Sequence, residues 1–116
     1  MILRTTTALV LFAFAVPAFA VGVKGNATAG AEKAKTCASC HGPTGNESLD
    51  DTYPKLAGQH PEYLAKALHD YKSGARPNAI MAGFASGLSD EDINDLSAFF
   101  ASQKGDLHDL SNIKER

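Results

Sequence analysis

Apolar positions recur at helical spacing over residues 61–73 of the chain. Pro61 suits the first turn of a helix, and Gly74 suits the position just after one. Between them the apolar residues fall at intervals of three and four, which places them on one helical face. They are Tyr63, Leu64, Ala67, Leu68 and Tyr71. The pattern predicts a helix from Pro61 to Ser73 with this face turned toward a core.

A second helical pattern covers Ser89 to about Gln103. Its start, Ser89-Asp90-Glu91-Asp92, resembles a capping box and puts acidic residues at the positive end of the helix. The apolar positions that follow are Ile93, Leu96, Phe99 and Phe100. Gly105 ends the pattern, so a helix is predicted over residues 89–103.

A first helix is predicted from good helix formers, from Thr28 to about Cys37, with Thr28 or Asn26 as its cap. The segments from His41 to Gly58 and from Gly74 to Leu88 are rich in Gly, Pro, Asn, Asp and Ser, and are therefore predicted to be loops. Nothing alternates with a period of two over a useful length, so no sheet is expected. The pattern predicts an all-α domain with three main helices.

The first twenty residues have the features of a secretory signal peptide. Arg4 provides a positive charge, an apolar run follows, and Ala18-Phe19-Ala20 is a small-x-small cleavage box. The alternative is an uncleaved membrane anchor, which Pro17 and the cleavage box disfavour. The predicted division is a cleaved segment over 1–20, a domain over 21–105 and a tail of unknown role over 106–116. The mature protein is then expected in the periplasm, without stable membrane insertion.

Composition narrows the class of protein further. The chain carries 11 Lys and Arg against 13 Asp and Glu, and its formal net charge of −2 argues against nucleic acid as a partner. The length after cleavage suits one small domain, which has only a modest core of its own. The chain has 2 Cys and both fall in one motif, so none is left to cross-link copies and a monomer is expected.

The strongest chemical signal is the segment Cys37-Ala38-Ser39-Cys40-His41. This is C-x-x-C-H, the attachment sequence for covalently bound haem of the c type. Two thiols three positions apart lie on the same side of a helical turn, where each can form a thioether with one porphyrin vinyl group. His41 then supplies the proximal nitrogen ligand of the iron. Because the motif occurs once, a single haem c attached through Cys37 and Cys40 is predicted.

Other interpretations of the Cys pair stay open at this point. A thioredoxin-like redox pair is expected with a βαβ pattern, which the sequence lacks. A zinc site would need further ligands, and His60, His69 and His108 lack paired ligand spacing. A disulfide is available to an exported protein, although a two-residue gap makes a tight ring. The His that follows the pair and the export signal both favour haem.

Haem iron in an electron carrier usually has a second axial ligand. Once residues 1–20 are removed, Met81 is the only methionine, and it lies in the predicted loop between the second and third helices. A thioether from such a loop can reach the iron, so Met81 is the predicted ligand. The other interpretation is an ordinary gap-filling methionine. Competing nitrogen ligands would be His60, His69 or His108, each predicted to be a surface or capping residue.

Together these features resemble the class I cytochromes c, in their small single-haem bacterial branch. The resemblance runs from about Ala27 to Ser102, and its pieces come in the family's order. They are Gly30, the C-x-x-C-H segment, Pro54-Lys55-Leu56-Ala57-Gly58, Tyr63-Leu64, the Met81 loop, Leu88-Ser89-Asp90-Glu91-Asp92-Ile93 and Ala98-Phe99-Phe100-Ala101-Ser102. The resemblance implies a cytochrome c fold, in which three main helices and loops wrap around one covalently bound haem.

The resemblance also implies roles around the haem. The Pro54 carbonyl should accept the Nδ1 hydrogen bond of His41 and so orient the ring. Leu56 should pack on the haem, and Pro77-Asn78 should shape the loop that presents Met81. These roles rest on the likeness to the family.

Helix packing and two departures from the family complete this comparison. Gly30 should let the first helix cross the last one closely, against Phe99 or Phe100. The chain has no Trp, which some relatives use near a haem propionate, so the propionate contacts are unassigned. The tail beyond Gly105 is longer than the minimal family pattern.

The predicted function is to carry one electron at a time as iron alternates between the ferrous and ferric states. With His41 and Met81 both on the iron, no position is open for a substrate, so no enzyme activity is predicted. Redox proteins or membrane respiratory complexes are the expected donor and acceptor. Lys66, Lys72 and Arg76 could form a basic docking rim, or could equally be solvated charges.

Two other functions remain. The first is a dedicated electron-transfer subunit of a periplasmic dehydrogenase complex, held by a permanent interface, which a large exposed apolar patch would favour. The second is a haem enzyme or gas sensor, which needs a labile sixth ligand on the iron. Carbon monoxide binding to the ferrous protein would distinguish this last class from a carrier.

Overall fold

The computed structural model describes residues 22–107. The predicted signal peptide over 1–20, residues 108–116 of the tail and His108 therefore lie outside the described residues. Within 22–107 the chain is helical and contains no strand, as the hydrophobic pattern predicts. No helix in this range combines the length and the apolar composition needed to cross a membrane.

Five α-helices and one 3-10 turn follow one another along residues 22–107. They are α1 (Ala27–Lys33), the 3-10 turn (Ala34–Thr36), α2 (Ala38–His41), α3 (Pro61–Ser73), α4 (Ala79–Ala85) and α5 (Asp90–Ser102). The bounds predicted for α3 are confirmed, and Gly74 ends it in the left-handed conformation at φ 80°. The predicted helix over 89–103 is α5.

The beginning of α5 forms the predicted capping box. The Ser89 side chain accepts a hydrogen bond from the Asp92 backbone N–H at 3.0 Å, and the Asp92 carboxylate accepts one from the Ser89 N–H at 2.9 Å. Two of the unpaired donors at the helix start are thereby satisfied.

The first helix differs from the prediction in its extent. Asn26, rather than Thr28, is the cap, and its side chain accepts from the N–H groups of Thr28 and Ala29. The helix does not run unbroken to Cys37, because it tightens into a 3-10 turn after Lys33 and then resumes as α2. His41 is accordingly the last residue of a helix and not the first residue of a loop.

The segment from Gly74 to Leu88 was predicted as a loop, and this prediction is wrong for its middle. Residues 79–85 form α4, capped by Asn78, whose side chain accepts from the Met81 N–H at 3.0 Å. The helix is only 7 residues long, which is too short to be stable alone, and it packs on α3. Tertiary contact therefore stabilises a helix whose sequence has turn signals on both sides.

The core lies where α5 meets α1 and α3. Its buried residues are Ala34, Leu64, Leu96 and Phe100. Ile93, on the same helix as Leu96, is completely buried. This core is small, and most other large apolar side chains line a cavity instead.

Gly30 is the point at which α1 and α5 touch. A Cβ at this position would lie 2.0 Å from the carbonyl oxygen of Asp95 and 2.8 Å from the Cβ of Phe99. Both distances are shorter than van der Waals contact allows, so only glycine permits this approach. The close crossing expected from the resemblance is confirmed, and Phe99 is the aromatic partner.

The same crossing carries a partly buried charge network, in which Asp95 is the buried member. The Lys33 ammonium lies 2.7 Å from the Asp95 carboxylate and 2.8 Å from that of Asp92, and Asp95 also accepts from the Asn26 N–H at 2.7 Å. Lys33 and the Ser89 groups lower the pKa of Asp92 to about 2, and Lys33 and Asn26 lower that of Asp95. The pKa of Lys33 is raised in turn. All three groups are therefore charged at neutral pH and hold α1 to α5.

We expect Gly30→Ala to destabilise the fold by about 1–3 kcal/mol, because the added methyl group collides with the α5 backbone. Gly83→Ala in α4 is the matched control, since a Cβ there meets nothing within 4 Å. That change should be neutral or stabilise by up to about 1 kcal/mol through helix propensity. Denaturant unfolding of the two holoproteins measures the difference, and equal stabilities would contradict the steric argument.

Candidate haem site

A cavity of about 660 Å³ opens beside the core, within the size range of cofactor pockets. Residues of α2, α3, α4 and α5 and of the segment 52–59 line it. Its apolar wall includes Leu56, Leu64, Ala67, Leu68, Met81, Leu88, Leu96 and Phe100. The predicted site residues Cys37, Cys40, His41, Pro54, Leu56 and Met81 all line this cavity. The structure thus brings together side chains that are far apart in the sequence.

The two cysteines stand at either end of α2. Cys37 precedes its first residue and Cys40 its last, and both are free and partly buried in the structure. Burial raises the pKa of the Cys37 thiol, and the neighbouring Cys40 raises it further. A thioredoxin-like pair depends instead on a thiol of lowered pKa. The surroundings of this pair therefore do not favour redox exchange between thiols.

His41 is buried, with 6% of its surface exposed. Its Nδ1 lies 2.8 Å from the carbonyl oxygen of Pro54. A carbonyl oxygen only accepts, so Nδ1 carries the proton and Nε2 of the neutral ring keeps a free lone pair. Nε2 has no hydrogen-bond partner among residues 22–107. Histidines that bind metals are oriented by such a contact on the other nitrogen.

Tyr53 also positions the His41 ring, a role that the sequence analysis missed. The two rings meet edge to face, with centroids 6.2 Å apart and planes at 76°. The only available signal was the position of Tyr53 beside Pro54. Backbone contact at Pro54 and aromatic contact at Tyr53 together restrict the rotation of the imidazole.

Met81 reaches the cavity from α4, where it is partly buried. The competing histidines within the described chain do not line the cavity. His60 is exposed before α3 and makes no capping hydrogen bond through its side chain. His69 is exposed with its Nδ1 4.0 Å from Asp90. Residues 22–107 also contain no cluster of three or more His, Cys, Asp or Glu suited to a metal ion.

The basic residues proposed as a docking rim separate into different surroundings. Lys66 forms an ion pair with Asp70, and the Lys72 ammonium donates to the Leu88 carbonyl. Arg76 is the one of the three that lines the cavity. The first residues of the tail also belong to the cavity wall. Leu107 lines the cavity, and Asp106 pairs with Lys55, which lines it too.

Comparison with known sequences identifies the family. The sequence profile of the family described as Cytochrome c matches residues 27–104, which is most of the chain. The chain belongs to the cytochrome c family. Its helical architecture is accordingly the all-α cytochrome c fold, and family membership implies haem c. The predicted resemblance to the class I cytochromes c is confirmed.

Individual cytochromes resemble the chain closely. It is 49% identical over 80 residues to cytochrome c4 of Pseudomonas aeruginosa, covering 69% of this chain and 39% of that protein. It is 43% identical over 83 residues to cytochrome c-554(548) of Halomonas halodenitrificans, covering 69% of this chain and 99% of the relative. The chain thus spans about two fifths of the cytochrome c4 relative and almost all of the shorter one.

A solved cytochrome structure has a similar fold, and the cytochrome subunit of a dehydrogenase has a similar sequence. The crystal structure of reduced recombinant cytochrome c4 from Pseudomonas stutzeri superposes with a TM-score of 0.67 at 42% identity, covering 72% of this chain and 48% of that one. The cytochrome subunit of sulfide dehydrogenase from Chlorobaculum tepidum is 38% identical over 65 residues, covering 56% of this chain and 57% of that protein.

Proposed function

We propose that this cytochrome carries one electron at a time between redox proteins of the periplasm, using a single covalently bound haem c. The observation that carries the proposal is the convergence of Cys37, Cys40, His41 and Met81 on one largely apolar cavity. The family membership and the similarity to cytochrome c4 support it. A haem bound here would supply an iron that takes up and releases one electron.

The residues present fit such a group. Cys37 and Cys40, at the two ends of α2, would hold it through thioether bonds. His41 lines the cavity, and the Pro54 carbonyl accepts the hydrogen bond of its Nδ1. Its Nε2 would then be free to bind the iron. Met81 would be the second axial ligand, and Leu56 would pack against the ring. Since apolar side chains make up most of the wall, they would shield a bound haem from water.

A carrier rather than an enzyme is proposed because two protein ligands leave no coordination position for a substrate. The fixed His41 ring and the short helix that carries Met81 would change little between oxidation states. Partners would be redox proteins or membrane respiratory complexes in brief contact with a monomer. We also propose that residues 1–20 are a cleaved signal peptide, followed by the domain over 21–105 and the tail over 106–116.

A second candidate is a dedicated electron-transfer subunit of a periplasmic dehydrogenase. The similarity to the cytochrome subunit of sulfide dehydrogenase favours it. A permanent subunit would purify together with its enzyme, whereas a free carrier would purify alone. Purification of the tagged protein from cells that express it naturally would separate the two.

The proposed function is tested on the full chain exported in cells that attach haem c. We expect a mass equal to the chain from Val21 plus one haem, and reversible oxidation and reduction by one electron. The ferrous protein should not bind carbon monoxide, because Met81 would hold the remaining coordination position of the iron. Rapid carbon monoxide binding would contradict the carrier and favour the haem enzyme or gas sensor.

A further inference from the structure

Three cationic side chains line the cavity, and they differ in what neutralises them. Lys33 pairs with Asp92 and Asp95. Lys55 pairs with Asp106. Arg76 forms no ion pair within residues 22–107. Among the cavity cations of the described chain it is therefore the one whose charge lacks a carboxylate partner.

Arg76 is nevertheless held in place. Its Nη1 lies 3.5 Å from the Tyr63 hydroxyl oxygen, and its guanidinium carbon lies 4.9 Å from the centre of the Tyr71 ring. The Arg76 backbone N–H donates to the Asp70 carbonyl at 3.0 Å. Both tyrosines also line the cavity. The Asp70 carboxylate lies near enough to favour the guanidinium charge, but its ion pair is with Lys66.

This arrangement leaves most of the guanidinium donors available at the cavity. A guanidinium has five N–H donors in a planar fork that matches a carboxylate. Stacking on Tyr71 and the contact with Tyr63 hold that fork before any ligand arrives, which lowers the entropy lost on binding. The cavity therefore has a prepared site for a carboxylate group in a wall that is mostly apolar.

A haem brings two carboxylates, its propionates, and no Trp is available here to bind one of them. We propose that Arg76, positioned by Tyr63 and Tyr71, binds a haem propionate. The inference rests on the proposed function, because it requires the haem that Cys37 and Cys40 would attach. It assigns Arg76 to the cofactor and not to the surface that meets redox partners.

The experiment observes the propionates directly. The holoprotein is produced with carbon-13 in the haem carboxyl groups, and their infrared bands are followed as the pH is lowered. We expect Arg76→Gln to shift one carboxylate band and to raise the pKa of that propionate by about 1–3 units, since a neighbouring opposite charge stabilises the ionised form. The other charged or titratable groups that line the cavity are Lys33, Lys55, Tyr53, Tyr63 and Tyr71, and His41, which the iron would hold.

Matched variants separate a direct contact from a change of net charge. Lys72→Gln removes the same charge from α3 at a residue that does not line the cavity, and it should leave both bands unchanged. Arg76→Lys keeps the charge without the fork and should give a smaller shift than Arg76→Gln. Tyr63→Phe keeps the ring but removes the hydroxyl that contacts Nη1, and it should move the same band slightly. If Arg76→Gln does not fold, Tyr63→Phe and Arg76→Lys together test whether Arg76 contacts the propionate.

The outcomes remain distinguishable from those of the proposed function. Unchanged propionate bands in Arg76→Gln, or in both Arg76→Lys and Tyr63→Phe, would overturn the assignment while leaving a normal haem spectrum. The assignment would also be overturned if Arg76→Gln weakened the salt-dependent reaction with an acidic redox partner and left the propionate bands unchanged. A wild-type chain without covalent haem would overturn the proposed function itself, and the propionate assignment with it.

Discussion

Replacing Met81 with alanine is expected to lower the midpoint potential of the holoprotein, on the order of 0.1 V within the ~0.8 V range that axial ligands span. The thioether favours ferrous iron, so its loss favours the ferric state. The same change removes the proposed sixth ligand, and the ferrous protein should then bind carbon monoxide. Redox titration and carbon monoxide difference spectra measure the two effects.

Ile80→Ala is the matched control for Met81→Ala. Ile80 is the preceding residue of α4, lines the same cavity and is 57% exposed in the structure. Its truncation removes apolar surface near the haem but no ligand atom, so carbon monoxide binding should not appear. If Met81→Ala behaves like Ile80→Ala, Met81 is not the ligand, and the histidines become the candidates.

The double substitution Cys37→Ala with Cys40→Ala is expected to abolish covalent attachment of haem. No other cysteine exists to replace them. Haem could then fill the apolar cavity only by reversible binding. The core beside the cavity is small, with four residues in its buried cluster, so it would not compensate for lost haem. The free energy of unfolding should fall by about 4 kcal/mol or more, the contribution of a ligand held at a thousandfold excess over its Kd.

Haem staining after denaturing electrophoresis and denaturant unfolding check this result. Ser39→Ala is the control, because Ser39 lies between the two cysteines, is exposed and contributes no thiol. Its hydroxyl donates to the Thr36 carbonyl and lies 3.9 Å from the Cys40 sulfur. This variant should retain covalent haem and nearly normal stability. Covalent haem in the doubly substituted chain would contradict attachment through Cys37 and Cys40.

Local sequence signals predicted the elements that depend on local chemistry. The extent of α3 followed from Pro61, Gly74 and an apolar face at helical spacing, and the structure has the same bounds. The capping box at Ser89 formed as expected because its hydrogen bonds join residues three positions apart. The contact between His41 and Pro54 followed from the family resemblance, since nothing local links residues thirteen positions apart.

The elements that the sequence did not predict depend on tertiary contacts. The short helix α4 lies in a segment whose flanking Gly and Pro residues indicate a loop, and it forms where it can pack on α3. The first helix ends at Lys33, and the Lys33 side chain forms ion pairs with Asp92 and Asp95. Asp95 lies 62 residues after Lys33 in the sequence, and Asp92 is only three residues nearer.

The sequence by itself determined the class of this protein, because the C-x-x-C-H segment and the ordered motifs around it are facts of residue type and spacing. Tertiary structure decided which polar groups meet the cavity. The edge contact of Tyr53 with His41 and the placement of Arg76 against Tyr63 and Tyr71 join residues that no local pattern links. Such contacts follow from the packing of helices around one cavity, and no periodicity along the chain encodes them.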